Sequence, residues 1–348
     1  MPAAEARAER GATVLNLHDL PVQDVPRLDV ASLPRGAVSL LRVPLLEDPL
    51  GDAVRVPVMV ARGRQDGPVV GVTGAVHGNE LNGVRVIHQL FRDIGGRELR
   101  GAVVGVPIVN VHGFVRHQRD CDGTDINRAM PGRENGPTPE VFAVHLLDRI
   151  VSSFNYLLDL HTASFGRVNS VYVRADLTQP ETAWMARAQH PHIIVHHKGA
   201  DGTLRSAAMA RGIHAITIEI GDPQLFQREL VERGRMGVEN VLARLGAVDL
   251  DERVPDVEPA VCTHSYWLYT DAGGLLEVYP ERARRVRKGE IIARLTDAFG
   301  RVTREYRAPE DGIVVGKSTN PVAHSGARIL HLGVEGEPEG NGRKGDIE

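Results

Sequence analysis

The sequence predicts a layered α/β domain with a largely parallel sheet, followed by a small all-β domain. Three observations carry this. Uninterrupted apolar runs, such as VVGVTGAV at 69–76, suit strands buried on both faces. Such runs alternate with segments of helical period as far as about residue 246. Beyond an acidic stretch with two prolines at 248–259, the pattern changes to short strands and turns with no helical period.

In order, residues 1–50 read as an arm and leading strands. Within 51–247, strands are expected at 54–60 and 69–76, then a helix at 80–95 with Leu81, Val84, Ile87, Leu90 and Phe91 on one face. A strand at 102–109, a polar loop at 111–137 and a helix at 139–151 follow. A loop that long inside a compact domain points to a functional role. Strands at 156–160 and 170–173, a helix at 180–189, a strand at 193–195, a helix at 203–211, a strand at 215–220 and a helix at 223–246 complete the domain. Residues 248–259 are a linker, 260–334 the β domain, and 335–348 a Gly- and charge-rich tail expected to be disordered.

Hydrophobic residues make up 42% and charged residues 25%, the balance of a globular chain with an ordinary core. With 41 basic and 45 acidic residues, nothing calls for nucleic acid or an anionic membrane as partner. No apolar run approaches the roughly 20 residues of a membrane helix, and no basic start leads into an apolar stretch, so a cytoplasmic location is expected. Cys121 and Cys262 lie far apart, outside any CxxC pattern, and are expected as free thiols.

Four segments carry chemistry. In AVHGNE, His77 and Glu80 follow a buried strand directly, at the edge where α/β proteins place ligands. An imidazole and a carboxylate that close can grip one metal ion, although a solvated histidine beside a helix N-terminal glutamate gives the same spacing. In LLDLHTAS, His161 also ends an apolar run, two residues after Asp159. Joined to His77 and Glu80 it gives a His₂Glu set, the ligand set of open catalytic zinc sites. In AITIEIGD, Glu219 ends another buried run, where a carboxylate is costly unless paired or working; partial burial would raise its pKa and suit it to proton transfer. The loop NVHGFVRHQRDCDGTDINRAMPG supplies Arg116, Arg119 and Arg128, whose forks suit carboxylates and oxyanions, and Asn127, which beside Arg128 could clamp an anionic substrate end; a charged surface loop would have the same composition. His112, His117, His145, His190, His196 and His197 are scattered among 15 histidines, so a second metal site is not expected.

HGNE, DGTDINRAMPG, DLHTA and EIG, in that order over roughly residues 50–245, resemble the succinylglutamate desuccinylase/aspartoacylase family of the zinc carboxypeptidase superfamily. The resemblance implies a zinc-carboxypeptidase-like three-layer α/β/α domain and one Zn²⁺ per chain held by His77, Glu80 and His161. It implies Glu219 as the proton shuttle, and Asn127 with Arg128 as the pair that binds a substrate carboxylate. Arg119 best matches the arginine that polarises the scissile carbonyl, with Arg116 as the alternative. Within GTLRSAAMARGIHAITIEIG, Arg205 is a further substrate contact. Val111 stands where the family usually has proline, and Met130 where it has an aromatic, which bears on the pocket and not on the metal ligands.

The C-terminal APEDGIVVG and KGEIIARL resemble lipoyl/biotinyl-type β-sandwich or barrel domains. No lysine stands at the expected hairpin tip, so cofactor attachment is not expected, and a role capping the site or forming an oligomer contact is. The implied activity is hydrolysis of the amide of a small N-acyl amino acid that carries a carboxylate. A metallocarboxypeptidase using the same residues and a non-catalytic metal-binding scaffold are the alternatives. A homo-oligomer is left open.

Overall fold

The computed structural model describes residues 16–94, 97–199, 202–254 and 258–337. The expectations for 1–15, for 255–257 of the linker and for 338–348 of the tail lie outside the described residues. Among those residues the protein is built on a 14-stranded sheet and a separate four-stranded antiparallel sheet near the C-terminus.

At the centre of the large sheet, four parallel strands lie side by side in the order Arg100–Val106, Gln65–Gly74, Tyr156–His161, His214–Glu219. Alternation along these strands sends side chains to two different cores. Val70, Val72, Leu158, Leu160, Ile216 and Ile218 pack with the helices Asn82–Ile94, Pro180–Ala188 and Arg228–Arg244. Val104, Leu157 and Ala215 pack with Thr138–Arg149 and Leu204–Ala210 on the other side. Helices on both faces give three layers. Val84, Ile87, Leu90 and Phe91 are all buried, on the face that the helical period indicates.

The sheet is mixed rather than largely parallel. Ala37–Glu47, Ala53–Arg62 and Arg100–Val106 pair antiparallel in turn, and Tyr172–Ala175 runs antiparallel to His214–Glu219. Burial on both faces makes an antiparallel strand as continuously apolar as a parallel one, so the apolar runs do not reveal direction. The long polar loop also contains more structure than its sequence suggests. Val111–Val115 is a short helix capped by the Asn110 side chain, and Ile126–Arg128 is a 3-10 turn capped by Asp125. The last helix starts at Arg228 rather than near 223.

Beyond the linker, Ala260–Tyr269 pairs in parallel with Ile193–His196, so the large sheet continues into the C-terminal region through Arg328–Glu335 and Gly312–Ser318. These strands cover the four-stranded sheet around a core of their own, with Leu276, Ile292, Leu295, Val314, Leu330 and Leu332 buried between them. Arg167–Asn169 adds to the edge of Gly312–Ser318 and ties the two regions together. Glu335, the first residue assigned to the tail, ends a strand. Both cysteines are buried free thiols. Among the described residues no helix is long and apolar enough to cross a membrane.

Candidate active site

Three neighbouring parallel strands deliver the chemical groups to one place. Tyr156–His161 and His214–Glu219 pair so that His161 and Glu219 are register partners at the strand ends. The third strand, Gln65–Gly74, turns immediately into the segment bearing His77 and Glu80. That turn is tight: Ala75 holds a left-handed φ of 47°, and a Cβ on Gly78 would lie 2.1 Å from the backbone of Gly113 and Phe114. Only glycine lets the two segments approach this closely.

His77, Glu80 and His161 are buried and converge. His77 Nδ1 lies 2.9 Å from Glu80 Oε1, and His161 Nδ1 lies 2.9 Å from Glu80 Oε2. The two Nδ1 atoms are 3.1 Å apart. Each ring turns its other nitrogen to a carboxylate: His161 Nε2 to Asp159 at 2.8 Å, and His77 Nε2 to Asp125 at 3.1 Å. Asp159 in turn accepts from the Thr73 hydroxyl at 2.7 Å. With Nε2 donating, the neutral rings present Nδ1 lone pairs to each other and to a carboxylate. Such an arrangement is repulsive unless a proton or a cation sits among them. The donor set therefore fits a divalent metal, with outer carboxylates that fix ring orientation.

The charges follow this geometry. Burial opposes ionisation of Glu80, but His77 and His161 hold it well below the usual carboxylate range. Burial also works against a charged His161, and Asp159 and Glu80 outweigh it, raising His161 well above its ordinary value. A metal held by His77, Glu80 and His161 would take the place of that proton. Asp125 is likewise held low by His77 and Arg119 against burial.

Glu219 behaves oppositely. Burial, and next the Glu80 carboxylate, raise it above its ordinary value. Asn169 Nδ2 donates to its Oε2 at 3.1 Å, and the Tyr172 hydroxyl also bonds it. Arg119 donates to Glu80 at 2.9 Å, to Asp125 at 2.8 Å and to the Ser164 hydroxyl, and it lines the cavity. Arg116 lies on the exterior with Asp122 at 3.2 Å and does not line it.

The cavity in front of this cluster has a volume of about 530 Å³. Asn127 and Arg128 line it. The Asn127 side-chain oxygen accepts from the Leu204 backbone N–H at 2.7 Å, and Arg128 donates to the Asn127 carbonyl at 2.7 Å. Arg205 lines it too, buried, with its guanidinium on His197 at 2.9 Å. The structure thus brings His77, Glu80, His161, Glu219, Arg119, Asn127, Arg128 and Arg205 to one cavity.

Sequence reasoning missed several groups here. Asp125 was legible as part of DGTDINR, but its link to His77 was not. Asn169 and Tyr172 on Glu219, and the wall contributed by Arg167, Trp267, Arg328 and His331, had no local signal.

Residues 66–245 match the family described as Succinylglutamate desuccinylase/Aspartoacylase catalytic domain. The chain belongs to this family. Among its relatives is the N-alpha-acetyl-L-2,4-diaminobutyric acid deacetylase of Halomonas elongata, 27% identical over 295 residues, covering 80% of this chain and 85% of the relative. Solved structures of similar fold include the product-bound ectoine utilization protein EutE (DoeB) from Ruegeria pomeroyi, with 22% identity, 87% and 98% coverage and a TM-score of 0.79. A succinylglutamate desuccinylase/aspartoacylase from Rhodobacter sphaeroides gives 24% identity, 88% and 98% coverage and a TM-score of 0.76. Family members so named are amide hydrolases, and the strand-end cluster lies inside the matched segment.

Proposed function

We propose that the protein is a zinc-dependent deacylase that hydrolyses the amide of a small, carboxylate-bearing N-acyl amino acid. The observation that carries this reading is the pair of inward-facing Nδ1 atoms with Glu80, set beside a raised carboxylate at Glu219. His77, Glu80 and His161 would hold one Zn²⁺, which supplies Lewis acidity to the carbonyl and an acidified water when bound.

The chain's own residues do the rest. Glu219, its carboxylate steadied by Asn169 and Tyr172, takes a proton from the attacking water. As the water oxygen bonds the carbonyl carbon, Arg119 faces the developing oxyanion from beside Glu80. The C–N bond then breaks, and Glu219 returns its proton to the departing nitrogen, giving a carboxylate and an amine. Asn127 and Arg128 hold the substrate carboxylate, and Arg205 is a further contact on the same wall. A cavity of about 530 Å³, closed on one side by the C-terminal region, supports a small substrate over a peptide.

Amine release from a panel of N-acetyl and N-succinyl amino acids, including N-acetyl-2,4-diaminobutyrate, tests the reading. Cleavage of at least one member by metal-loaded protein is expected. A silent panel alongside cleavage of C-terminal residues from peptides would replace it with the carboxypeptidase reading.

A further inference from the structure

Arg167–Asn169 is a short strand that follows His161 in the chain, yet by pairing it belongs to the C-terminal region. Among the described residues its one strand partner is Gly312–Ser318, with Asn169 set opposite Gly316. Further bonds hold it at both ends. The Thr319 N–H donates to the Gly166 carbonyl at 2.8 Å, and the backbone N–H and hydroxyl of Ser170 both donate to the Val315 carbonyl at 2.9 Å. Arg282, also from the C-terminal region, donates through Nη1 to the Asn169 carbonyl at 3.0 Å and to Asp222, just past Glu219, at 3.0 Å.

From this clamp the buried Asn169 side chain reaches Glu219, its Nδ2 donating to Oε2 at 3.1 Å. Its Oδ1 lies against Gly316: a Cβ there would be 2.4 Å from Oδ1 and 2.9 Å from the Val168 carbonyl oxygen. Only glycine leaves the amide where it is, and a methyl group would push it out of line with Glu219. Gly312–Ser318 also shifts register against Arg328–Glu335 between Val314 and Gly316, and bulges of this kind re-aim side chains beside active sites. Glu219 is thus held from two sides, by Tyr172, its register partner on the neighbouring strand, and by Asn169. A carboxylate that takes a proton from water and returns it to a nitrogen must stay aimed at both. A fixed donor on one oxygen limits its rotation.

We propose that Asn169 is a positioning residue for Glu219, and that the C-terminal strand Gly312–Ser318 sets its aim through the close approach of Gly316. The C-terminal region then takes part in the chemical step by holding the base in line, apart from enclosing the cavity. This deepens the deacylase reading and rests on it for turnover; the contact itself is measurable without turnover.

The test measures kcat, KM, zinc content and Tm of metal-loaded wild type, N169A, N169D, G316A and N169A/G316A on the best substrate of the panel. N169A and the isosteric N169D, which keeps the shape and loses the donor, are expected to lose about ten- to a hundredfold in kcat, with KM within about threefold and zinc content unaltered. G316A should lose kcat in the same way. In the N169A background it should cost no further kcat, because its effect passes through the amide. A merely structural Asn169 would lower Tm and leave kcat per bound zinc intact. That result, an unchanged kcat in folded G316A, or losses that multiply in the double variant overturns the proposal. If G316A does not fold, R282A, which loosens the same clamp, takes its place in both comparisons. If wild type cleaves no member of the panel, the deacylase reading fails separately, and NMR of ¹⁵N-asparagine-labelled protein reads the contact alone. The Asn169 side-chain resonances, assigned by their loss in N169A, are expected to move in both E219Q and G316A. Resonances unmoved in either variant overturn the positioning.

Discussion

The strand-end side of the cavity and the wall opposite it handle charge in different ways. At the strand ends the polar groups have short, directed partners: His161 on Asp159, His77 on Asp125, Glu80 on both histidines and on Arg119. At the opposite wall Arg167 and Arg328 rest on an aromatic face with no carboxylate between them. A network compensated from within keeps its geometry whatever enters, which suits chemistry common to many substrates. The strand-end groups are thus held in place by directed polar contacts, whereas the two guanidinium groups of the wall rest on stacking with Trp267.

The sharpest way to separate the two is Glu219→Gln. It keeps the shape and removes the base, so turnover should drop by about two to four orders of magnitude for every substrate alike, with metal content unaltered. Near-normal turnover in this variant would remove Glu219 from the mechanism. Next in size is Asp159→Asn, which leaves the three inner groups in place and weakens the hold on the His161 tautomer. Metal affinity measured by chelator competition should fall about ten- to a hundredfold. An unchanged affinity would mean that the His161 to Asp159 bond of 2.8 Å is merely structural.

Leu90→Ala tests whether packing and site are separable. Leu90 is buried in the core beneath the central strands, remote from both walls in role. Its truncation should cost about 2–5 kcal/mol of unfolding free energy by denaturant titration. The folded enzyme should keep its kcat and its preference between substrates.

The smallest expected effect is one of pH. Glu219 is raised above its ordinary 4.5 and must be ionised to accept a proton, so kcat/KM should fall as pH drops through that raised value. Every substrate should share this limb. The ratio of kcat/KM between any two substrates should stay flat from about pH 6 to 8, since arginine does not titrate there. His331, held well below its ordinary value by burial and by Arg174, Arg167 and Arg328, stays neutral across the same range. A ratio that changes with pH would show a titrating group in the wall.

What the sequence disclosed divides along the same line. His77, Glu80, His161 and Glu219 each stand at or just past the end of an apolar run, and strand ends are where an open α/β sheet gathers its chemistry. Local pattern was enough to nominate them. Asn127, Arg128 and Arg119 were legible through the loop motif, although the motif left Arg116 open until the structure placed it outside the cavity. Trp267 and Arg328 gave no sign, because nothing local says that Ala260–Tyr269 pairs with Ile193–His196 and so turns its neighbours toward the site. Strand direction was lost for a related reason: pairing is a long-range property, and burial alone does not encode it. Helix existence was read well, since the 3.6-residue period is local.

The central claim is that His77, Glu80 and His161 hold a metal. It is tested most directly by elemental analysis of the purified protein, after growth with added zinc, beside His77→Ala. The account predicts about one zinc per chain in wild type and little in the variant. Wild type carrying no divalent metal under these conditions, or a variant retaining a full equivalent, would contradict it.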